Sequence, residues 1–297
     1  MPTVKHWRCF RFWAVGEMGT LPIFVRDHAE GQLLPWKRQV EAAERFGVTL
    51  AHVEGVVLER GLLPARYQRN CAALSCGDQL TLFRSCVAVV GCGGLGGYVV
   101  EELARLGVGR LVIIDPDLFE EHNLNRQLFS SPGNLGQAKV QAALARISEI
   151  NPAVTLVPIQ EALSIENGAG LLAGCQVVVD ALDTIKVRLE LADVCGGLNV
   201  PLVHGAIAGW YGHVATQFPG DDTLQSIYSS WKSGKGVEQT LGNPSFTPAL
   251  VASLEVAEVC KLLVGQGTPL RGRQLMIDLY SMELNVIDMA ESNRESS

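Results

Sequence analysis

The sequence predicts an α/β fold: a doubly wound, mostly parallel sheet with antiparallel strands at its C-terminal end and a small helical appendage at its N-terminal end. Two observations lead there. From residue 86 onward, short apolar runs alternate with longer amphipathic ones. The first such run, CVAVV at 86–90, passes directly into a glycine-rich turn and then into an apolar stretch with helical spacing. Length and composition agree, because 297 residues at 47% hydrophobic and 19% charged can bury one large core with a small module attached.

The appendage, assigned residues 1–65, shows apolar residues near helical spacing between 34 and 60: Val40, Ala43 and Phe46, then Leu50, Val53, Val56 and Val57. Gly47, Gly61 and Pro64 punctuate the pattern, which predicts a helical pair serving as a packing arm or dimer contact. The first 17 residues mix cations and aromatics and lack an apolar h-region with a small-residue cleavage site, so no secretory signal is expected. Met18 is an alternative start.

The main domain is assigned residues 66–297. Strands are expected at 86–90, 110–115, 154–159, 177–181, 202–206 and 213–218, and helices at 95–106, 136–150, 165–173, 186–198 and 249–264. Residues 274–289 read as a strand pair around 279–282, antiparallel to the rest. No internal repeat is present.

Composition excludes several classes. A formal net charge of −7 without a Lys/Arg run gives no electrostatic grip on nucleic acid or an anionic membrane. Apolar stretches are interrupted well before the roughly 20 residues a membrane span requires. Eight cysteines, at 9, 71, 76, 86, 92, 175, 195 and 260, follow no disulfide framework, which fits a reducing cytoplasm.

The chemistry begins at the turn Gly91-Cys92-Gly93-Gly94-Leu95-Gly96-Gly97. Glycines allow backbone to approach phosphate, and the helix that follows offers its positive N-terminus. With Asp115 closing the next strand, where an acid can hold ribose hydroxyls, this Rossmann-like unit predicts an adenine nucleotide on Gly91, Gly93, Gly94, Gly96 and Asp115. Hydride transfer to NAD is the first reading of such a turn. The next segments argue against it: Asp117, Asn123, Arg126 and Gln127, then Lys139, form a polar and cationic series that a triphosphate needs and a nicotinamide does not. Arg126 offers a planar fork and Lys139 a mobile point charge to phosphate oxygens. Asp183, after the apolar run VVVD, lies where parallel sheets bind ligands, and its carboxylate suits Mg²⁺.

Across about residues 66–289 the chain resembles the HesA/MoeB/ThiF group of the ubiquitin-activating-enzyme superfamily. The resemblance rests on Arg66-Tyr67-Gln68-Arg69, GCGGLGG, GVGRLVIIDPD, EHNLNRQ, GQAK, INP, DALD, PLVHGAIAGWYGHV and TPALVASLEVAEVCKLLVG, in that order. It implies that Asp115 holds ribose, Arg126 and Lys139 the phosphates and Asp183 the metal, with Asn123, Gln127 and the neighbouring Asp117 supporting the nucleotide. It further implies a homodimer in which Arg69 reaches the partner protomer's site, so that Arg69, Arg126, Lys139 and Asp183 form the catalytic set. The implied reaction uses ATP and Mg²⁺ to adenylylate the Gly-Gly carboxylate of a small ubiquitin-like sulfur-carrier protein, releasing pyrophosphate. Carriers of molybdenum-cofactor, thiamine and sulfur-amino-acid biosynthesis all stay open.

The chain also departs from that group. Many relatives hold zinc through two C-x-x-C pairs, and this sequence has no such pair, so no zinc is expected. No cysteine lies between Gln217 and Val259, which predicts adenylylation without a thioester and a separate sulfur donor. Cys195 and Cys260 read as buried small hydrophobes, and Cys92, inside the glycine turn, reads as structural, a reactive thiol at the helix N-terminus being the minor alternative. His204 and His213 read as hydrogen-bonded structural residues. Trp210 and Tyr211 either line a carrier-docking surface or belong to the core. A dehydrogenase and an inactive scaffold of the same fold are the competing classes.

Overall fold

The computed structural model describes residues 20–229 and 238–289. The alternative start at Met18 and part of the cysteine-free crossover segment fall outside them. The chain divides into two compact units, Met1–Cys76 and Gly77–Ser297, which places Arg66–Arg69 in the first.

Among its described residues the first unit has three α-helices: α1 (Thr20–Asp27), α2 (Trp36–Phe46) and α3 (Leu50–Glu59). Leu21, Phe24, Val25, Leu34, Ala42, Val53 and Val57 make its core. Gly47 ends α2 in the left-handed conformation, and the Thr49 hydroxyl accepts from the His52 N–H to start α3. The expected pair is therefore joined by a third helix, α1, which sequence reading passed over because eight residues supply barely two turns of pattern. Two-residue strands β1 (Leu33–Leu34) and β2 (Leu63–Pro64) pair in parallel beside it. Below them, the Tyr67 hydroxyl donates to buried Glu54 at 2.8 Å, and Arg69 ends a short 3₁₀ turn, exposed.

The second unit opens with α4 (Cys76–Arg84), also unanticipated, and continues through β3 (Cys86–Val90), α5 (Gly94–Leu106), β4 (Arg110–Ile114), α6 (Lys139–Ile150) and β5 (Thr155–Ile159). Then come α7 (Gly168–Leu171), β6 (Val177–Asp180), α8 (Ile185–Leu198), β7 (Leu202–Ala208) and β8 (Tyr211–Gln217). The chain closes with α9 (Thr223–Ile227), α10 (Glu238–Leu241), α11 (Phe246–Val264), β9 (Arg273–Asp278) and β10 (Glu283–Asp288).

The sheet order is β10-β9-β8-β7-β6-β3-β4-β5, with β5, β4, β3, β6 and β7 parallel and β8, β9 and β10 successively antiparallel. This is the expected mostly parallel sheet with antiparallel C-terminal strands. All five residues of β3 are buried, as a central strand covered on both faces demands, and each fully buried valine contributes about 1.5–3 kcal/mol. The chain winds outward from β3 through β4 to β5, then returns to lay β6 on the opposite side of β3. A crevice at the carboxyl ends of β3 and β6 follows from that reversal.

Two expected helices shorten for identifiable reasons. The segment from 136 begins its helix only at Lys139, because Gly136 has φ of 82° and Ala138 forms a β-bridge with Leu118. The helix expected at 165–173 shrinks to Gly168–Leu171, ahead of Gly174 at φ of 81°. On one face of the sheet, α11 lies against β7 and β8 and beside α5. Glu101 of α5 ties down both Arg105 and Arg146, the latter from α6, at 2.7 and 2.9 Å.

Candidate active site

The glycine turn is an interlocked piece of backbone. Gly91 has φ of 97°, and a Cβ there would stand 2.5 Å from the Ala181 carbonyl oxygen. A Cβ on Gly96 would stand 1.9 Å from the Gly91 carbonyl oxygen, so neither position admits a side chain. The Gly91 N–H donates to Ile114 O at 2.8 Å and the Ala181 N–H to Val90 O at 2.9 Å, joining the turn to the ends of β4 and β6. Gly93 caps α5, and the nearest atom to a Cβ added there is Gln127 Nε2 at 3.5 Å. Gly94 faces Pro248 and Arg126 at 3.5 and 3.8 Å from such an atom, ordinary contact distance.

Asp115 follows β4 and is buried. Its Oδ2 accepts the Cys92 N–H at 2.6 Å and its Oδ1 the Asp117 N–H at 2.8 Å. Burial pushes its carboxyl up, while Lys139 and those two N–H groups pull it back. Two lone-pair positions on a carboxylate already engaged this way stay available to hydroxyl donors. Lys139 is only 6% exposed. Its Nζ lies 2.8 Å from Asp117 Oδ2 and 4.0 Å from Asp115 Oδ2, and its backbone N–H donates to Asp117 O. A buried ammonium resting on a half-exposed carboxylate is a cation that can be handed to a more strongly negative ligand.

Asn123 and Gln127 are both buried, and they differ. The Asn123 side-chain oxygen accepts the Glu120 N–H at 2.9 Å, and its carbonyl accepts the N–H groups of Arg126 and Gln127. Asn123 thus shapes the turn that carries the next two residues. Gln127 Oε1, by contrast, is buried with no hydrogen-bond partner, an orphan acceptor beside the glycine turn that fits a bound polar ligand. Arg126 uses Nη1 on His122 O and Asn125 Oδ1, both at 2.9 Å. Burial lowers its pKa and the charge of Asp183 offsets part of that, so the two opposite charges share one field. Asp183 is exposed, three residues past the end of β6, and accepts the Thr184 hydroxyl at 3.1 Å.

The turn and the ends of β3, β4 and β6 therefore bring together Gly91, Gly93, Gly94, Gly96, Asp115, Asp117, Asn123, Arg126, Gln127, Lys139 and Asp183. Arg69 belongs to the other unit. Among the described residues no group of three or more His, Cys, Asp or Glu is arranged to hold a metal ion. A Mg²⁺ carried mainly by phosphate oxygens and water needs only one protein carboxylate, and Asp183 is available for it. A cleft of about 450 Å³, lined by Thr81, Ser85, Gln176, Pro201, Phe218 and Leu262, opens at the amino ends of β3 and β6 and has Arg84 as its one charged wall residue. It contains none of the chemistry above.

Sequence reasoning missed a second polar assembly. His204 Nδ1 lies 2.7 Å from Asp180 Oδ2, and His204 Nε2 lies 3.0 Å from His213 Nε2 and 3.2 Å from the Tyr228 hydroxyl. Arg188 donates to Asp180 Oδ2 at 3.3 Å, to Gly205 O at 2.7 Å and to Leu182 O. The histidines are thus hydrogen-bonded and structural, as read. Burial would raise the Asp180 carboxyl, but Arg188 and His204 hold it below the usual range. Burial lowers His204, and it lowers His213 well below the ordinary histidine value with the help of His204 and Arg188. Glu255, on α11, is fully buried with both oxygens unpaired, and burial with the Asp180 charge pushes it well above the usual carboxylate range. Only the histidines and Asp180, the first residue of the DALD run, carried a signal in the sequence.

Cys92 is fully buried, and burial with the adjacent Asp115 charge raises its thiol, the surroundings of a structural cysteine. Cys195 is buried and pushed up to about 12, whereas Cys260, expected to be buried, is only partly so. Trp210 and Tyr211 are 45% and 46% exposed, not core. Trp210 packs at 4.6 Å on Phe246 and edge-on at 5.7 Å to Tyr280. No helix among the described residues is long and apolar enough to cross a membrane.

Comparison with known proteins extends this geometry. The chain is 34% identical over 226 residues to the SAMP-activating enzyme E1 of Haloferax volcanii, covering 75% of this chain and 84% of that one. It is 33% identical over 248 residues to the sulfur carrier protein adenylyltransferase of Thermus thermophilus, covering 77% and 88%. It spans about half, 52%, of the adenylyltransferase and sulfurtransferase MOCS3-1 of Zea mays, at 32% identity over 78% of its own length. The crystal structure of E. coli MccB with ATP shares the fold, with a TM-score of 0.62 over 84% of this chain and 82% of that one at 20% identity. Residues 67–297 match the ThiF family, and with the turn, the charged loop and the strand order in agreement, the chain belongs to that family.

Proposed function

We propose that this adenylyltransferase activates the C-terminal Gly-Gly carboxylate of a small ubiquitin-like sulfur-carrier protein, using ATP and releasing pyrophosphate. The observation that supports this most is a buried Lys139 and an orphan acceptor on Gln127 around a glycine turn in which Gly91 and Gly96 leave no room for a side chain. The ammonium suits phosphate oxygens, and the free amide oxygen suits a hydroxyl or amine donor of the nucleotide. A carboxylate oxygen of the carrier attacks the α-phosphate, the bond to pyrophosphate breaks, and an acyl-adenylate forms. Lys139 and Arg126 neutralise the charge that builds on the departing pyrophosphate, and Asp115 holds the ribose. Asp183 would hold Mg²⁺, which would supply positive charge against the phosphates. Arg69 completes the site from the partner protomer of a homodimer, as a planar cation suited to the task.

The exposed cluster of Trp210, Tyr211, Phe246 and Tyr280 supplies an apolar face for the carrier. With no cysteine in the crossover segment, sulfur comes from a separate donor and not from this chain.

ATP/pyrophosphate exchange tests the reading, with candidate carriers supplied with intact and with trimmed Gly-Gly tails. Exchange that requires the intact tail and disappears in Lys139→Ala and Asp183→Ala is the expected result. Exchange indifferent to the tail, or undiminished in both variants, overturns it.

A further inference from the structure

The turn that carries Asp183 is held on two sides. On one side the Ala181 N–H bonds to Val90 O, and Ala181 O fills the space that a side chain at Gly91 would need. On the other, the backbone of Leu182 is held at both its N–H and its carbonyl. Its N–H donates to Asp180 Oδ1 at 3.0 Å, and its carbonyl accepts from Arg188. The position of the residue next in sequence, Asp183, therefore depends on how Asp180 and Arg188 are themselves fixed.

Protons on that assembly can be assigned. Asp180 is an ionised acceptor, so the His204 ring nitrogen 2.7 Å away, Nδ1, carries hydrogen and donates to it. Arg188 Nη1, 3.1 Å from the same nitrogen, finds its acceptors in Asp180 and Gly205 instead. His204 Nε2 is left with one lone pair and two neighbouring donors, the Tyr228 hydroxyl at 3.2 Å and His213 Nε2 at 3.0 Å. An imidazole that receives at Nε2 while donating at Nδ1 is fixed in tautomer and ring orientation. Tyr228 lies just past α9 and reaches back to β7, and the bonds run without a gap from its hydroxyl through His204 and Asp180 to the Leu182 peptide.

We propose that Tyr228 and His204 are positioning residues for Asp183: they touch no substrate, and through Asp180 they set the backbone turn that aims its carboxylate. The inference rests on Asp183 serving the nucleotide's metal, as proposed above. It adds residues from two further elements to the determinants of that site.

The test is a double-mutant cycle on the full chain with Tyr228→Phe and Asp183→Asn, read by calorimetric binding of a non-hydrolysable ATP analogue across a Mg²⁺ titration and by pyrophosphate exchange. Tyr228→Phe keeps the ring, which meets His204 edge-on at 5.7 Å, and removes only the hydroxyl. In the wild-type background it should raise the Mg²⁺ concentration for half-maximal binding roughly three- to tenfold, the equivalent of one hydrogen bond, and lower exchange kcat while leaving carrier KM unchanged. Binding of the analogue without Mg²⁺ should not change. In the Asp183→Asn background the same substitution should do nothing more. As a spectroscopic check, nitrogen-15 shifts of the histidines should show His204 Nε2 losing one hydrogen-bond partner in Tyr228→Phe while Nδ1 keeps its proton. Additive effects, or a Tyr228→Phe protein with wild-type Mg²⁺ dependence beside a clearly impaired Asp183→Asn, overturn the positioning role alone. An Asp183→Asn protein that matches wild type overturns the metal role of Asp183 and the positioning role with it.

Discussion

The candidate nucleotide site and the buried chain from Asp180 to Tyr228 use the same residue types to opposite ends. At the site, Lys139 rests on the exposed Asp117, Arg126 spends only part of its fork, and Gln127 Oε1 has no partner. In the chain from Asp180 to Tyr228, every ring nitrogen that faces the assembly and the Arg188 fork are engaged at hydrogen-bond distance. The first region is incompletely satisfied where a ligand can complete it. The second is satisfied internally and holds shape, Glu255 excepted. Polar groups in a fold are thus sorted by whether their partners come from the chain or from outside.

The largest expected effect breaks the nucleotide site at its backbone. Gly96→Ala forces a methyl against Gly91 O, and we expect a loss of about 3 kcal/mol or more in stability, measured by chemical denaturation, with no nucleotide binding. Next, Lys139→Ala should lower exchange by about 100-fold or more, since it removes a charge that acts on the transition state.

The buried region should answer in stability before activity. Glu255 has a raised pKa when folded, so below about pH 4.3 both states are protonated and Glu255→Gln gains nothing. As pH rises, the unfolded chain ionises first, and the wild type falls behind the variant by up to about 1.4 kcal/mol per pH unit until the folded carboxyl titrates. Thermal melts at pH 4 and pH 7 check this, and a variant less stable than wild type at pH 7 would mean that Glu255 has a partner in solution. His213 has the opposite sign. Its lowered pKa gives stability that is present above about pH 6.5 and lost as pH falls, while the unfolded chain takes up the proton. His213→Gln should flatten that slope between pH 6.5 and 5, the smallest of these effects.

The same contrast explains what could be read without coordinates. The candidate site was legible because the glycine turn, Asp115 and Asp183 sit at strand ends, which parallel-sheet topology gathers in one place, and because Arg126 and Lys139 stand in a polar, cationic series after Asp115. The buried assembly draws residues 180, 188, 204, 213, 228 and 255 from separate elements, and no short stretch of sequence contains two of its bonds. Glu255 looks like an ordinary helix charge until α11 is laid across β7. His204 and His213 were legible as structural only because no metal-ligand spacing accompanied them. In the first unit, α2 and α3 were foreseen and α1 was not, since an eight-residue helix is stabilised by the Phe24 and Val25 contacts it makes and not by its own periodicity.

The interlock of Gly91 with Gly96 and Ala181 has a thermodynamic consequence for whatever enters the crevice. A loop that must be ordered by its ligand surrenders conformational entropy at the moment of association, roughly 1–2 kcal/mol for each residue fixed. Here backbone already presses on backbone, leaving few states to lose, so that entropy was given up when the chain folded. Recognition at this turn should therefore carry little ordering penalty, and selectivity among nucleotides must come from the side chains around it.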